Sequence, residues 1–599
     1  MQPTVAERAR AARLQAKAAR PLLSISVRLL AAAPQAGQAE RRVASVAAGW
    51  HQFTTAELHF QRRRPLSLPR LVRAVRDRAR VRIPAPTLLN TSELAAVLAV
   101  TPDVARANGL VISPSRRLAA PRVVPERGIV LGVSPTGRGE RTVAVPLVDL
   151  ARHAHVVGPT GVGKSTLLAQ IAIQAIEQGA SVVVLDGKDE LADLILPRIS
   201  PNRAGHVGLL DAADRDHVWS LNPLAQRTGD RPEVIADDVL TPIRELFAAS
   251  WGQRTEHYLR LLLLTMLGQP GEATLLDAVI ALHDDETLHR ITAHTNDPVL
   301  AAAWRGFFSQ SDAARAEILM PLRNKLASLA VGGLRDMLGG GSTIDIDQAL
   351  NTGGVLLPRF SKSRLGEDTA RLGASLFMTM VWQAIRRRSS IPPEQRRPVL
   401  IIADEFADYT RLSVDFEAVL SQARSLGVGL VLAHQELHQL PPSMRHAVMA
   451  NARTRCIYPV GAEDARVLAR ELEPHLSAEH LRGLPAYEIA ATISAAGHTT
   501  QPFTARTLPL GPGDPAAARR VIAESRRRHT IPRKRADAIL HQRLNRLLHP
   551  SEQRRPRGRY GRRPLTDRMT DRPDEHIAGT AQPSRNTADS DRDTSGAQR

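Results

Sequence analysis

The chain has 599 residues, 80 Lys+Arg against 60 Asp+Glu, a formal net charge of +20 and one cysteine. That length holds two to four domains with a large core. The lone Cys456 excludes an internal disulfide and any multi-cysteine metal site, and fits a reducing compartment. The positive excess is almost all arginine, since only six lysines occur (Lys17, Lys164, Lys188, Lys325, Lys362 and Lys534). It favours a polyanionic partner, nucleic acid or an acidic membrane face, although abundant arginine and alanine also read as genomic composition.

No apolar run approaches the ~20 residues of a membrane span. The longest, around 261–264 and 374–385, read as buried helices, and the N-terminus has no signal-peptide core. The expected location is cytoplasmic.

Residues 1–125 are mixed and predict an accessory α+β domain. Residues 21–30 alternate as a strand does, 40–48 have a helical pattern, and 92–100 open on Ser92, a helix-capping residue type. Residues 126–231 predict the first half of an α/β motor domain. Short strands at 128–133 and 142–145 flank a turn at 135–139, and 154–157 is an apolar strand end. Next comes Gly158-Pro159-Thr160-Gly161-Val162-Gly163-Lys164-Ser165-Thr166, the spacing G-x-x-x-x-G-K-[ST], with a helix expected over 166–178. A polyphosphate needs many donors at close range, and glycine lets the backbone come that close. Backbone N–H groups of such a loop cradle phosphates, Lys164 reaches the β/γ-phosphates, and Ser165 ligates Mg²⁺.

Ser181–Leu185 is a β-branched run, as in a strand buried on both faces of a parallel sheet. Asp186-Gly187-Lys188-Asp189-Glu190 follows, either as a charged strand-to-helix turn or as a loop near the nucleotide or a subunit boundary. Strand signals vanish over 232–335, which predicts an all-helical insertion. There Trp251, Arg254 and His257 share a helical spacing that reads as a core-plus-ion-pair stripe, with a DNA or partner contact the lesser alternative.

Residues 336–510 predict the second half of the motor. A strand candidate lies at 353–357. The run 399–403 then delivers Asp404 and Glu405 to a strand's C-terminal end, where ligands bind in open α/β sheets. Asp404 is placed to complete the Mg²⁺ shell with Ser165, and Glu405 to polarise water. Arg424 ends the next helix, where it is either a helix-end charge or a group reaching a neighbouring subunit's phosphate. Gln435 ends the strand 429–433, positioned to sense a γ-phosphate. The guanine reader N-K-x-D is missing, since Asn324-Lys325 continues as Leu326-Ala327, so the base expected is adenine and the ligand ATP. Residues 511–599 predict basic helices (516–528, 536–548) and a disordered tail from 554. The basic clusters 526–528, 533–535 and 554–563 read as non-specific nucleic-acid or partner contacts, or as a solvated tail. With 3% aromatics, backbone tracking is favoured over base stacking for DNA.

Together these pieces resemble the FtsK/HerA/VirD4-type DNA-pumping ATPases, and most closely the type IV coupling proteins (TraG/VirD4-like) of conjugation and type IV secretion. The resemblance covers about residues 126–505. It rests on the P-loop, Asp186-Gly187-Lys188-x-Glu190, Leu221-Asn222-Pro223-Leu224, Asp404-Glu405, Arg424 with Gly427, Gln435, Asn451 through Arg455, and Val460 through Arg466. It implies a RecA/FtsK-like P-loop parallel-sheet motor with an all-helical insertion, acting as an ATP-hydrolysing DNA translocase or coupling ATPase with Lys164, Glu405, Arg424 and Gln435 in catalysis. Arg424 is implied as a finger acting on a neighbouring subunit, and Gln435 as the nucleotide sensor. A homo-hexameric ring, a relaxase, secretion-channel components and the inner face of the cell membrane are implied as context. A HerA-like DNA-processing motor and an ATP-gated scaffold that recruits secreted proteins stay open as alternatives. Two departures stand out. Transmembrane helices usual at the family's N-terminus are not seen here, and Gly187 and Asp189 replace Pro and Gly of the family's D-P-K-G-E.

Overall fold

The computed structural model of the chain describes residues 116–136, 139–409 and 416–549, with parts of 4–94. The expected helix at 92–100 falls largely, and the expected tail at 554–599 wholly, outside the described residues. The chain divides into two compact units. One comprises residues 1–213, 241–248 and 344–529, the other 214–240, 249–343 and 530–599.

An eleven-stranded sheet forms the first unit. Its strands are β1 (Ile129–Thr136), β2 (Gly139–Val145), β3 (Ala154–Val157), β4 (Ser181–Leu185), β5 (Val207–Asp211), β6 (Val355–Arg359), β7 (Val399–Ala403), β8 (Val428–His434), β9 (Thr454–Ile457), β10 (Glu488–Thr492) and β11 (Phe503–Arg506). They lie in the order β2-β1-β11-β10-β9-β3-β8-β7-β4-β6-β5. From β9 to β5 every pairing is parallel, and from β10 to β2 every pairing is antiparallel. β3, β4, β7 and β8 are buried along their whole length. Their largely aliphatic character has that cause, because helices cover both faces of a parallel sheet. One of these is Lys164–Glu177, whose Leu167, Leu168, Ile171, Ala172 and Ala175 join Val156, Val182, Val184, Leu400 and Ile402 in a common core.

This α/β motor architecture agrees with the sequence, but several elements differ in extent. The strand expected at 21–30 spans only Leu22–Ile25, pairing with Thr87–Asn90. The P-loop helix starts at Lys164 rather than 166, because Gly163 in the left-handed conformation is its N-cap. Of the antiparallel edge, β1 and β2 answer to the strands expected at 128–133 and 142–145, whereas β10 and β11 were not expected. Glu-Ile-Ala-Ala-Thr and Phe-Thr-Ala-Arg carry too few β-branched residues to signal strands in a chain rich in alanine. Past the sheet, the helix Pro515–His529 packs on β5, burying Ala517 and Val521, and Ser525 Oγ accepts the Leu209 N–H at 2.8 Å. Two arginines of its basic end, Arg527 and Arg528, pair with Glu524.

Among its described residues the second unit is helical apart from a two-strand pairing of His217–Val218 with Ile531–Pro532. Thr274, Asp284, Asp297 and Ser311 cap successive helices with their side chains, each satisfying first-turn N–H groups. The helix Arg533–Leu548 joins them: Arg543 Nε donates to both Asp277 carboxylate oxygens, at 2.8 and 2.9 Å. The expected Trp251 stripe is half right. Arg254 pairs with Glu317 at 3.3 Å, but the helix begins at Gln253, so Trp251 precedes it. The core face carries Thr255, Leu259, Leu262 and Met266, while His257 is exposed. Among the described residues no helix is long and apolar enough to cross a membrane.

Candidate functional site

Parallel register sets the site. His434 lies opposite Val157, and Ala403 lies opposite both Leu432 and Leu185. Strands β3, β8, β7 and β4 therefore end at one level. The residues that follow emerge side by side at the C-terminal edge: the glycine-rich loop, Gln435, Asp404-Glu405 and Asp186–Lys188. Gly158 has no room for a side chain, since a Cβ there would sit 2.5 Å from Tyr458 Cβ. Gly163 has φ 108° and no side chain caps the helix it starts. That leaves the first-turn N–H groups for an external anion. Lys164 is buried, and its Nζ donates to the Pro159 carbonyl at 3.0 Å across the loop. Burial pulls its pKa down, with Asp404 and Glu405 opposing.

Ser165 Oγ donates to Asp404 Oδ2 at 2.8 Å, joining positions 239 residues apart. Glu405 holds φ 53°, a conformation side chains other than glycine rarely adopt. Its Oε1 accepts from Gln435 Nε2 at 2.5 Å and from Lys188 Nζ at 3.2 Å, and Gln435 Oε1 accepts from Thr160 Oγ1 at 3.1 Å. A chain Thr160–Gln435–Glu405–Lys188 thus spans four strand ends. For Lys188 burial alone would lower the pKa, but the bond to Glu405 and that carboxylate's charge raise it overall. Asp186 is raised by burial, although it accepts the N–H groups of Lys188 and Leu191, which fix the turn.

Beneath the loop two buried histidines meet. His155 of β3 and His434 of β8 approach Nε2 to Nε2 at 2.6 Å with stacked rings. Burial pushes His434 down to about 4 and His155 well below the usual histidine range. One ring therefore donates and the other accepts, both neutral. On the opposite flank Tyr458 follows β9, fully buried, and its hydroxyl donates to the Gly163 carbonyl at 3.1 Å. Tyr487 precedes β10 and touches the loop. Motif spacing points to neither tyrosine nor to the histidine pair. The rarity of tyrosine, five in the chain with two here, is the one available signal.

Arg424 is not brought to this cluster. It lies in the turn Ala423–Leu426 that leads into β8, at the opposite, N-terminal edge, and is exposed. Two family motifs also lie elsewhere. Asn222 Nδ2 donates to Glu272 Oε1 at 3.1 Å and to the Ala273 carbonyl at 2.8 Å within the helical unit. Asp464 Oδ2 accepts the Leu437 N–H at 3.0 Å, bracing the loop after Gln435.

A model of the family described as the type IV secretion-system coupling protein DNA-binding domain matches residues 141–469. Among solved structures the chain matches plasmid coupling protein TrwB in complex with ADP and Mg²⁺, at 16% identity, covering 68% of this chain and 98% of that one with TM-score 0.48. TrwB in complex with the non-hydrolysable ATP analogue ADPNP matches at 15% identity, with 67% and 94% covered and TM-score 0.47. VirB4 of Thermoanaerobacter pseudethanolicus matches at 14% identity, with 65% and 98% covered and TM-score 0.46. Among curated proteins none matches.

Proposed function

The chain belongs to the type IV secretion-system coupling protein DNA-binding domain family, and from that premise we propose that it is an ATP-hydrolysing motor that moves DNA for conjugative, type IV secretion-like transfer. The observation that carries this reading is the hydrogen-bonded chain Thr160–Gln435–Glu405–Lys188 laid across the mouth of the glycine-rich loop. It ties the residue placed to polarise water to the residue placed to sense the terminal phosphate, and the latter to the loop itself.

The loop 158–166 holds the phosphates of ATP through backbone N–H groups and Lys164. Ser165 and Asp404 offer two hard oxygens. Among the described residues no group of three or more His, Cys, Asp or Glu is placed to hold a metal. That donor set fits Mg²⁺, which takes one or two protein oxygens and fills its shell with phosphate and water. Bound there, Mg²⁺ neutralises charge on the transferring phosphoryl group. Glu405 orients the attacking water, and Gln435 reports the phosphate to β8. Arg424, remote from its own loop, completes the site of a neighbouring subunit, so the working form is a ring, by resemblance a hexamer. DNA is held through its phosphates by arginine-rich surface, without sequence preference. A relaxase and the secretion channel are the proposed partners, at the inner face of the membrane.

Steady-state ATP hydrolysis by the full chain, with and without single- and double-stranded DNA, tests this, with Glu405→Gln as the blank. Several-fold stimulation by DNA is expected, with turnover in the blank reduced at least ~10²-fold. Hydrolysis indifferent to DNA would replace the motor with an ATP-gated scaffold for protein substrates.

A further inference from the structure

Tyr487 has a combination of properties that a folding role does not require. It is 55% exposed, the only tyrosine among the exposed large apolar side chains of the described residues. Its backbone is left-handed at φ 66°, which costs free energy for any residue with a Cβ and persists only where the surroundings impose it. Three hydrogen bonds impose it here. Its N–H donates to the Val162 carbonyl at 3.3 Å, and its carbonyl accepts the N–H of Thr507 at 2.8 Å and the Thr507 hydroxyl at 3.0 Å. The ring is thereby fixed beside the phosphate loop, with Cδ1 3.0 Å from where a Cβ on Gly163 would stand.

Sheet order says which end of a nucleotide arrives there. Along the C-terminal edge the sequence of strands is β10, β9, β3, β8, β7. β3 carries the loop, and β8 and β7 carry Gln435, Asp404 and Glu405 on one side of it. A triphosphate lying in the loop presents its terminal phosphate to Glu405, so its nucleoside leaves on the other side, toward β9 and β10. The groups waiting there are Tyr458, fully buried with its hydroxyl on the Gly163 carbonyl, and Tyr487, exposed. Only the second has a ring face to offer.

We propose that Tyr487 is the wall of the base-binding site, its ring stacking on the purine of the bound nucleotide. The proposal rests on the phosphate-site reading above and adds the subsite for the other half of the ligand. An aromatic face stacks on any base, so the site favours nucleotides over bare polyphosphates while separating adenine from guanine poorly.

Calorimetric titration of the full chain with ATP, GTP and inorganic tripolyphosphate, each with Mg²⁺, tests it. The unmodified chain is expected to bind ATP at least about tenfold more tightly than tripolyphosphate, with GTP close to ATP. Tyr487→Leu should weaken ATP and GTP about tenfold and leave tripolyphosphate within twofold, and Tyr487→Trp should restore ATP binding. Equal affinity of the unmodified chain for ATP and tripolyphosphate would overturn the proposal without any variant. An equal loss of both ligands in Tyr487→Leu would make the ring a mere support of the loop and overturn it too. If the unmodified chain bound neither ligand, and Lys164→Ala behaved identically, the phosphate-site reading itself would fall and the base site with it.

Discussion

At the N-terminal edge of the parallel strands, Arg388 is fully buried and gives its N–H groups to the carbonyls of Leu426, Leu350 and Arg397 and to Asn351 Oδ1. His153 at the same edge lies between the Leu420 carbonyl and the Leu430 N–H. At the C-terminal edge Thr160, Gln435, Glu405, Lys188, Ser165 and Asp404 bond chiefly to one another. The difference separates architecture from site. A side chain that satisfies buried main-chain groups cannot leave without orphaning them. Side chains that satisfy each other near solvent can exchange partners for a ligand at little cost.

The contrast can be broken experimentally, most strongly through the one exposed N-edge arginine given a catalytic role. Arg424→Ala should lower ATP turnover by ~10³-fold or more with ATP binding intact, and mixing it with Lys164→Ala should recover part of the rate. No recovery at any mixing ratio would remove the shared site. Next, Arg388→Met should cost about 3 kcal/mol in urea unfolding, because it leaves main-chain carbonyls buried and unpaired. A loss below about 1 kcal/mol would erase the distinction between the edges.

Acid should probe both edges together. His153 and His434 are each held at about 4 by burial, below the usual 6.5. Both are neutral in the folded chain, while the unfolded chain takes up protons below 6.5. Their contribution to stability is full above pH 6.5 and is lost as the pH falls toward 4, at up to ~1.4 kcal/mol per pH unit for each histidine. His434→Gln should flatten that acid limb; the same slope in the variant would mean the pair is not held neutral. The smallest effect belongs to Lys188→Gln. Half-exposed, it should leave stability nearly unchanged yet lower turnover about tenfold by freeing Glu405 from one of its two tethers. Unchanged turnover would make the lysine a surface charge.

In the parallel half β3, β4, β6, β7 and β8 were legible as largely aliphatic runs, whereas β5 and β9 were not expected from the sequence; the glycine-rich loop was legible because its spacing has few structural equivalents. Register did the rest: once β3, β7 and β8 are aligned, Ser165, Asp404 and Gln435 must converge. What the sequence does not reveal depends on contacts between distant strands. Lys188 reads equally as a turn charge or a site residue until β4 is known to lie beside β7. Tyr487 lies in a plain turn after Pro485, and only the antiparallel partner Phe503–Arg506, itself silent in sequence, shows what holds it. Trp251 misleads for the opposite reason, because its helical spacing to Arg254 and His257 runs across a helix start.

The helical unit draws on three separate stretches of chain, the last beginning at Thr530. Its Arg543 reaches back 266 positions to Asp277. A ribosome adding ~5–20 residues per second needs on the order of ten seconds to a minute to cover that span. Through that interval Asp277, on a helix already made, waits on the nascent chain without its arginine partner. The last described helix therefore sets the moment at which that bond can form, and shortening the chain ahead of Arg533 would leave the Asp277 carboxylate without it.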